Sequence, residues 1–375
     1  SGTTLSGTAA RLTGKTVSGA GITEITALNG ATSADLLDIN TNTVNIPVLL
    51  DQTFNGRLPQ SRASKTITVT ISGSKTLTLE GASNTTHSIL SSLLADTGIT
   101  FSGTVNDKVI INMNNAGDSL SASDFSKATF TTLKSDLKIS ANNTFTGIFG
   151  TQFGKLTKNT ITINGATLTA TAEKLSGLII GGNHANNIIN ITELGTDENT
   201  LAADFSKIAI SLGRLDVTFN ENTSSPFTGS FKADAATINL NVGAGKTLNI
   251  NENNVHQFVS YTDSSNALSG KYVNKLGTGL LILKNATPND RTFTAANGST
   301  NAFFTDSSLS SSLGSGLAST TKYYLGTGPG TVRVVDTQPT ISSITVASNN
   351  STTTLAKESN TITFKVGFSE SVTLS

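Results

Sequence analysis

The chain contains no cysteine and no tryptophan, one methionine, and six prolines among 375 residues. Without cysteine there is no disulfide framework, no thiolate metal site and no cysteine nucleophile. Charge is scarce as well. Asp, Glu, Lys and Arg make up 13% of the chain, about half the usual share for a soluble domain, and 25 basic residues balance 25 acidic ones. Bulk charge therefore offers nothing to nucleic acid or to anionic lipid. No apolar run reaches the roughly 18 residues of a membrane-spanning helix, so no transmembrane segment is expected. The opening residues, SGTTLSGTAARLTG, have neither the basic start and apolar core of a signal peptide nor an initiating methionine, which fits a mature form or an excised fragment.

What fills the chain instead is Ser, Thr and Asn, with 34 glycines. These residues solvate a surface without charge and suit strands and turns. The profile fits a β-rich secreted or surface protein better than a cytosolic enzyme.

One stretch invites a nucleotide reading. Gly245, Lys246 and Thr247 follow a small-residue turn in VGAGKTLNI, and a phosphate-binding loop ends in Gly-Lys-Thr. That loop also needs a glycine five positions before Gly245, where Leu240 stands, and a helix after it to present free N–H groups to the anion. TLNIN alternates apolar and polar residues and reads as a strand. Lys246 is therefore expected to be a solvated residue at the start of a strand.

Internal similarity explains the stretch. TITVTISGSKTLTL, residues 66–79, aligns without gaps on TINLNVGAGKTLNI, residues 237–250, and a shorter version, TITINGATLTA, runs from Thr160 to Ala170. Each reads as strand, tight glycine-containing turn, strand, in the manner of a hairpin. DFSK recurs at Asp124–Lys127 and Asp204–Lys207, and FTG at Phe145–Gly147 and Phe227–Gly229, so copies begin near residues 65, 158 and 235. Phe125 and Phe205 are expected to be core anchors, and Asp124 and Asp204 caps of a short helical turn. Helix is scarce: Thr86–Asp96 carries Ile89, Leu90, Leu93 and Leu94 on one helical face, and ATAEKLSGL offers another turn. Such pieces are expected to plug or cover a β layer. The Gly-punctuated first 60 residues suit solenoid rungs or an edge hairpin layer, and Val273–Thr287 is the most solenoid-like piece.

From Asp336 onward the chain resembles the opening of a bacterial immunoglobulin-like module. The shared marks are Asp336 and Pro339 before a first strand ISSITVAS, a polar turn with AKESN, and TITFKVGFSESV. The resemblance covers about 40 of the ~90 to 100 residues of such a sandwich. The Gly-x-Gly-x-Leu-x-Leu rungs near 273–287 and 237–252 resemble those of secreted β-helical passengers and haemagglutinin-like proteins. The Thr, Gly and Ala-rich N-terminal block resembles bacterial surface-layer proteins and large repetitive surface adhesins.

The expected fold class is mainly β: a tandem β-repeat array, β-solenoid-like or built of β-sandwich units, with short helices, followed by an incomplete immunoglobulin-like β-sandwich. The expected divisions are a Gly/Thr-rich β-repeat region at 1–63, repeat units at 64–156 and 157–233, a diverged third unit with a Gly/Ser-rich linker at 234–335, and the module start at 336–375. In related arrays calcium rigidifies the joint between modules, and the resemblance carries that role onto Asp336 and Glu370, whose oxygens suit a hard cation. The glycine-aspartate nonapeptide that binds calcium in such proteins is absent. Asp197, Glu198 and Asn199 form a weaker acidic cluster that reads as a solvated turn.

Catalysis finds little support. His87, His184 and His256 stand in unlike contexts, there is no Gly-x-Ser-x-Gly elbow, and the acids are scattered. Glycan platforms favour exposed aromatic faces, yet Tyr323 and Tyr324 are adjacent and would alternate across a strand. Asn-x-Ser/Thr sequons such as Asn84, Asn190 and Asn222 follow from composition. The expected function is a non-enzymatic structural protein of the bacterial cell surface, extracellular and self-assembling into a layer or filament, with cell-surface polysaccharide as a further partner. The alternatives are an adhesin stalk binding a host or matrix surface and, third, a β-helical carbohydrate-active enzyme.

Overall fold

The computed structural model describes residues 2–28, 32–60, 64–81, 87–94, 97–232, 237–250 and 254–258, with shorter stretches between 261 and 368. Two compact units emerge, Ser1–Val259 with Gly270–Leu281, and Ser260–Ser269 with Ile282–Ser375.

Period-two alternation drives the first unit. In Thr66–Ile71 the residues Ile67, Val69 and Ile71 are buried while Thr66, Thr68 and Thr70 face outward, so the strand has one apolar side that must find a core. The solution is a β-solenoid of about nine coils, which at the ~4.8 Å spacing of paired strands makes a stack roughly 40 Å long. Three parallel sheets form its walls. The first runs through Thr4–Gly7, Val17–Ile25, Ile39–Val48, Thr66–Ile71, Ile99–Ser102 and Ala128–Thr131. The second runs through Gln52–Phe54, Thr76–Glu80, Lys108–Met113, Lys134–Ile139, Asn159–Ile163, Ile180–Gly182 and Ile208–Ile210. The third runs through Asn143–Thr144, Thr167–Thr171, Ile188–Leu194, Arg214–Phe219, Thr237–Val242 and Val273–Leu276.

This arrangement corrects the hairpin reading of the repeats. The two strands of each copy do not pair with each other; Thr66–Ile71 lies in the first sheet and Thr76–Glu80 in the second, each bonded to the coils before and after it. The glycine turn is a corner rather than a hairpin tip. Gly165 and Gly245 sit at φ +71 in their corners, a left-handed conformation that disfavours a Cβ. The three copies also enter the stack on successive walls: the first copy on the first sheet, the second, Asn159–Ile163, on the second, and the third, Thr237–Val242, on the third. The wall that leads each coil therefore changes as the solenoid advances.

Inward residues stack in register. Leu79, Ile111, Leu137, Ile161, Ile180 and Ile208 form one continuous row, all fully buried. Leu168, Ile189, Leu215, Ile238 and Val273 form its counterpart on the third sheet. On the first sheet Phe101 stacks on Phe130, centroids 5.4 Å apart. Phe125 and Phe205 are buried as expected, Phe125 edge-on to Phe153 and Phe205 stacked on Phe231. Asp124 accepts from Ser126 N at 2.9 Å and caps the short helical turn Phe125–Lys127 as expected, whereas Asp204 accepts from Ser206 N at 2.9 Å but lies in the strand Asp204–Phe205, with a plain turn in place of the expected helical one.

Short helices lie at Leu90–Leu93 and Ala172–Leu175, both after a strand and both against the core. The first is shorter than its pattern predicts. Ile89 and Leu93 are buried, but Leu94 is 69% exposed, because the following strand Ile99–Ser102 must start the next coil. Sheet ends are closed by side chains. Gln152 Oε1 accepts from Phe130 N on the last strand of the first sheet, at 3.1 Å, and Gln257 Oε1 does the same for Phe231 N at 3.1 Å. In both cases a side-chain carboxamide stands in for the missing neighbouring strand. Among the described residues no helix is long and apolar enough to cross a membrane.

The second unit is more mixed. Ala267–Leu268, Tyr261–Asp263, Arg291–Ala295 and Thr331–Val334 pair antiparallel, and Leu317–Thr320 adds in parallel. Ile341–Ser348 and Ile362–Phe368, the two strands expected of the C-terminal module, pair antiparallel.

The inward row gives a measurable expectation. Leu137→Ala should destabilise the solenoid by about 2–5 kcal/mol in urea denaturation, because it removes a fully buried side chain between two others. Ser135, equally buried and with its Oγ unpartnered, should tolerate Ser135→Ala with no loss, since the substitution leaves no donor unsatisfied.

Candidate functional site

Two features of the surface have enough regularity to act as sites: the outward faces of the walls, and the corners between them. On the first sheet the outward positions align as Asn45, Thr68, Thr100 and Thr129, and beside them as Pro47, Thr70, Ser102 and Thr131. Thr70 Oγ1 and Ser102 Oγ are 3.2 Å apart. On the third sheet the row is Thr169, Asn190, Asp216, Asn239 and Asn274, with Asn190 Nδ2 donating to Thr169 Oγ1 at 3.2 Å and Asn239 Nδ2 to Asp216 Oδ1 at 2.8 Å. The second sheet carries more charge: Lys108 Nζ lies 3.6 Å from Asp136 Oδ2, and Asp136 Oδ1 accepts from Thr160 and Thr162 Oγ1.

The corners of the first two copies are held by carboxyl or carboxamide side chains from the coils on either side. Thr76 N donates to Asp51 Oδ1 of the preceding coil at 2.7 Å, and Lys75 N to Asp107 Oδ1 of the following coil at 3.0 Å. The corner of the second copy repeats the device, Thr167 N donating to Asn142 Oδ1 and Gly165 N to Asn187 Oδ1. Hydrogen bonds from Thr104, opposed by burial and joined by Lys75 N, hold the Asp107 carboxyl below the usual carboxylate range. The sequence signal for these residues is an Asp or Asn at the strand boundary, as in LLDQTF, VNDKV and HANNII, and it was missed because such residues also mark ordinary turns.

The candidates named from sequence are dispersed. Asp336 and Glu370 lie outside the described residues, as does Asn84. Lys246 sits in a corner, its N donating to Gly243 O at 3.0 Å and its O accepting from Leu280 N at 2.8 Å; with a strand following, Thr247–Ile250, it has no phosphate-cradling geometry. Asp197 is exposed and caps the turn Glu198–Leu201, accepting from Thr200 N at 2.7 Å, as a solvated turn should. His184 is exposed and accepts from Asn186 N at Nδ1. His87 is buried, with Nε2 3.1 Å from Asn112 O and Nδ1 accepting from Ile89 N. Among the described residues no three of His, Asp and Glu converge to hold a metal.

Clefts are small. One of about 270 Å3 lies between Gly147, Ile148, Lys155, Glu173 and Lys174, but Lys155 Nζ donates to Ser176 O at 3.2 Å and Lys174 Nζ to Gly147 O at 2.8 Å. Both ammonium groups thus tie loops together. A shallow groove of about 440 Å3 runs along Thr3–Leu5 and Val17–Ile22 and is lined by uncharged residues.

No protein-family model matches the chain, and neither a curated protein nor a solved structure matches it. The functional reading therefore rests on the chemistry of the walls and corners.

His87 gives the pH prediction for this region. Burial lowers its pKa to about 4, so the folded state resists the proton that the unfolded chain accepts near pH 6.5. The stabilisation is complete above pH 6.5 and is lost as pH falls towards 4, by roughly 2 to 3 kcal/mol at pH 4.5. Urea denaturation at pH 7 and pH 4.5 should show a larger loss for the native chain than for His87→Gln, which lacks the titrating ring.

Proposed function

We propose that the chain is a structural protein of a bacterial cell surface that self-assembles into an extracellular layer or fibre, of the surface-layer type, and is not an enzyme. The observation that carries this reading is the outward face of the first sheet. Its rows of Thr, Ser and Asn, with Pro47, are in register over four coils without Lys, Arg, Asp or Glu, and Glu24 adjoins Asn45 in the coil before them. A periodic face with few charges meets a copy of itself with little charge repulsion, and hydroxyl and amide groups exchange water for one another at little cost. The balanced composition of 25 basic and 25 acidic residues supports the same association. Calcium at Asp336 and Glu370, an immunoglobulin-like continuation and contact with cell-surface polysaccharide belong to this proposal through the family resemblance alone.

Light scattering and electron microscopy of the purified chain test it. The native protein should form ordered sheets or fibres, and Thr66→Lys, Thr70→Lys and Thr129→Lys combined should keep it dispersed with a melting temperature within a few degrees of native. All three side chains are exposed, so the added charge acts between molecules. Dispersed particles of the native chain would instead favour an adhesin stalk, and assembly unchanged by the three lysines would move the contact to another face.

A further inference from the structure

The hairpin of Ile341–Ser348 and Ile362–Phe368 carries its apolar side chains on one face. Ile344 pairs with Val366, Val346 with Phe364 and Ser348 with Ile362, and period-two alternation puts these six side chains on the same side of the sheet. Thr345, Ala347, Thr363 and Lys365 stand on the other side. The apolar face is bare. Its five large residues are between 43% (Val366) and 65% (Phe364) exposed, and a two-stranded sheet in water is marginal at best until something covers such a face.

Area, charge and shape say what fits. At those exposures the five side chains leave on the order of 500 Å2 of apolar surface open, near the top of what a monomer shows. Two such faces bury about 1,000 Å2 between them, where specific association begins. The face holds no charged residue, since Lys365 lies on the other side, so a charged partner finds nothing to recognise and a like face meets no repulsion. The face also complements itself. A two-fold axis parallel to the strands lays each strand of one copy over the opposite strand of the second, so that Phe364 meets Val346, Ile344 meets Val366 and Ile362 meets Ser348, the larger side chain against the smaller each time. Two such sheets, about 10 Å apart, make a four-stranded sandwich.

We propose that this hairpin is a dimerisation surface and that its occupant is the same hairpin of a second copy. The inference rests on the self-assembly reading and supplies what that reading needs. An isologous contact closes at two copies, so a wall that meets its own like makes a pair, and a layer or fibre requires a second contact elsewhere on the chain. The hairpin provides that contact with residues that the first sheet does not share. Further strands of an immunoglobulin-like continuation compete for the same face.

Sedimentation velocity of the full chain tests it in the background of Thr66→Lys, Thr70→Lys and Thr129→Lys, which removes the wall contact. That chain should sediment as a dimer. Adding Val346→Lys and Phe364→Lys should weaken dimerisation at least ~100-fold with little change in melting temperature, because both side chains are exposed in the single copy. Thr345→Lys with Thr363→Lys, on the opposite face, should leave the dimer intact. The chain has no cysteine, so Val346→Cys supplies a sole thiol that a short bis-maleimide should link between copies while Thr345→Cys stays unlinked, a reading that does not depend on how the lysine variants fold. A monomer in the wall-blocked background would leave the face to further strands of a longer chain and overturn the proposal, as would a dimer indifferent to the lysines at Val346 and Phe364, or equal linking through Thr345 and Val346. Arrays of the native chain together with monomers of the wall-blocked chain defeat this inference alone, whereas dimers that depend on Phe364 without arrays keep it and defeat the layer.

Discussion

Everything in the first unit depends on in-register parallel pairing between successive coils. A strand with period-two alternation has one apolar side, and a shift of one residue would turn that side to solvent. The row from Leu79 to Ile208 shows the constraint satisfied six times over. Because each coil contacts only its neighbours, stability accrues coil by coil, and a single defect in the row is felt mainly by the two coils beside it.

Corners make this stacking possible. A chain that turns sharply exposes backbone N–H groups, and Asp51, Asp107, Asn142 and Asn187 accept them from the coils above and below. The same side-chain logic closes the sheets, where Gln152 and Gln257 take the place of a further strand. Polar residues thus do two jobs in a chain that has few charges. They satisfy the corners from within and present rows of mostly Thr, Ser and Asn outside, the face on which the proposed self-association rests.

Much of the fold was legible in the residues. Alternation in Thr66–Ile71 and Thr237–Val242, the presence of glycine turns between strands and the buried Phe125 and Phe205 all follow from local pattern. Pairing was not legible. The same alternation serves a hairpin or a solenoid, so nothing within TITVTISGSKTLTL says whether its second strand folds back on the first or turns a corner away from it. The candidate site was less legible still. Asp107 and Asn187 look like ordinary turn residues in the sequence, and only packing shows that they accept the backbone N–H groups of Lys75 and Gly165, residues of the preceding coil.

The sequence by itself determined that the chain is β-rich, free of disulfides, nearly neutral and built from repeated strand–turn–strand units, because these properties reside in composition and in neighbours along the chain. The tertiary structure alone decided that the strands run parallel, that successive copies enter on successive walls, and that Asp107 and Asn187 meet Lys75 and Gly165. Those contacts join residues a full coil apart, and their partners are selected by which apolar rows stack without slipping, a comparison between whole arrangements that no single segment contains.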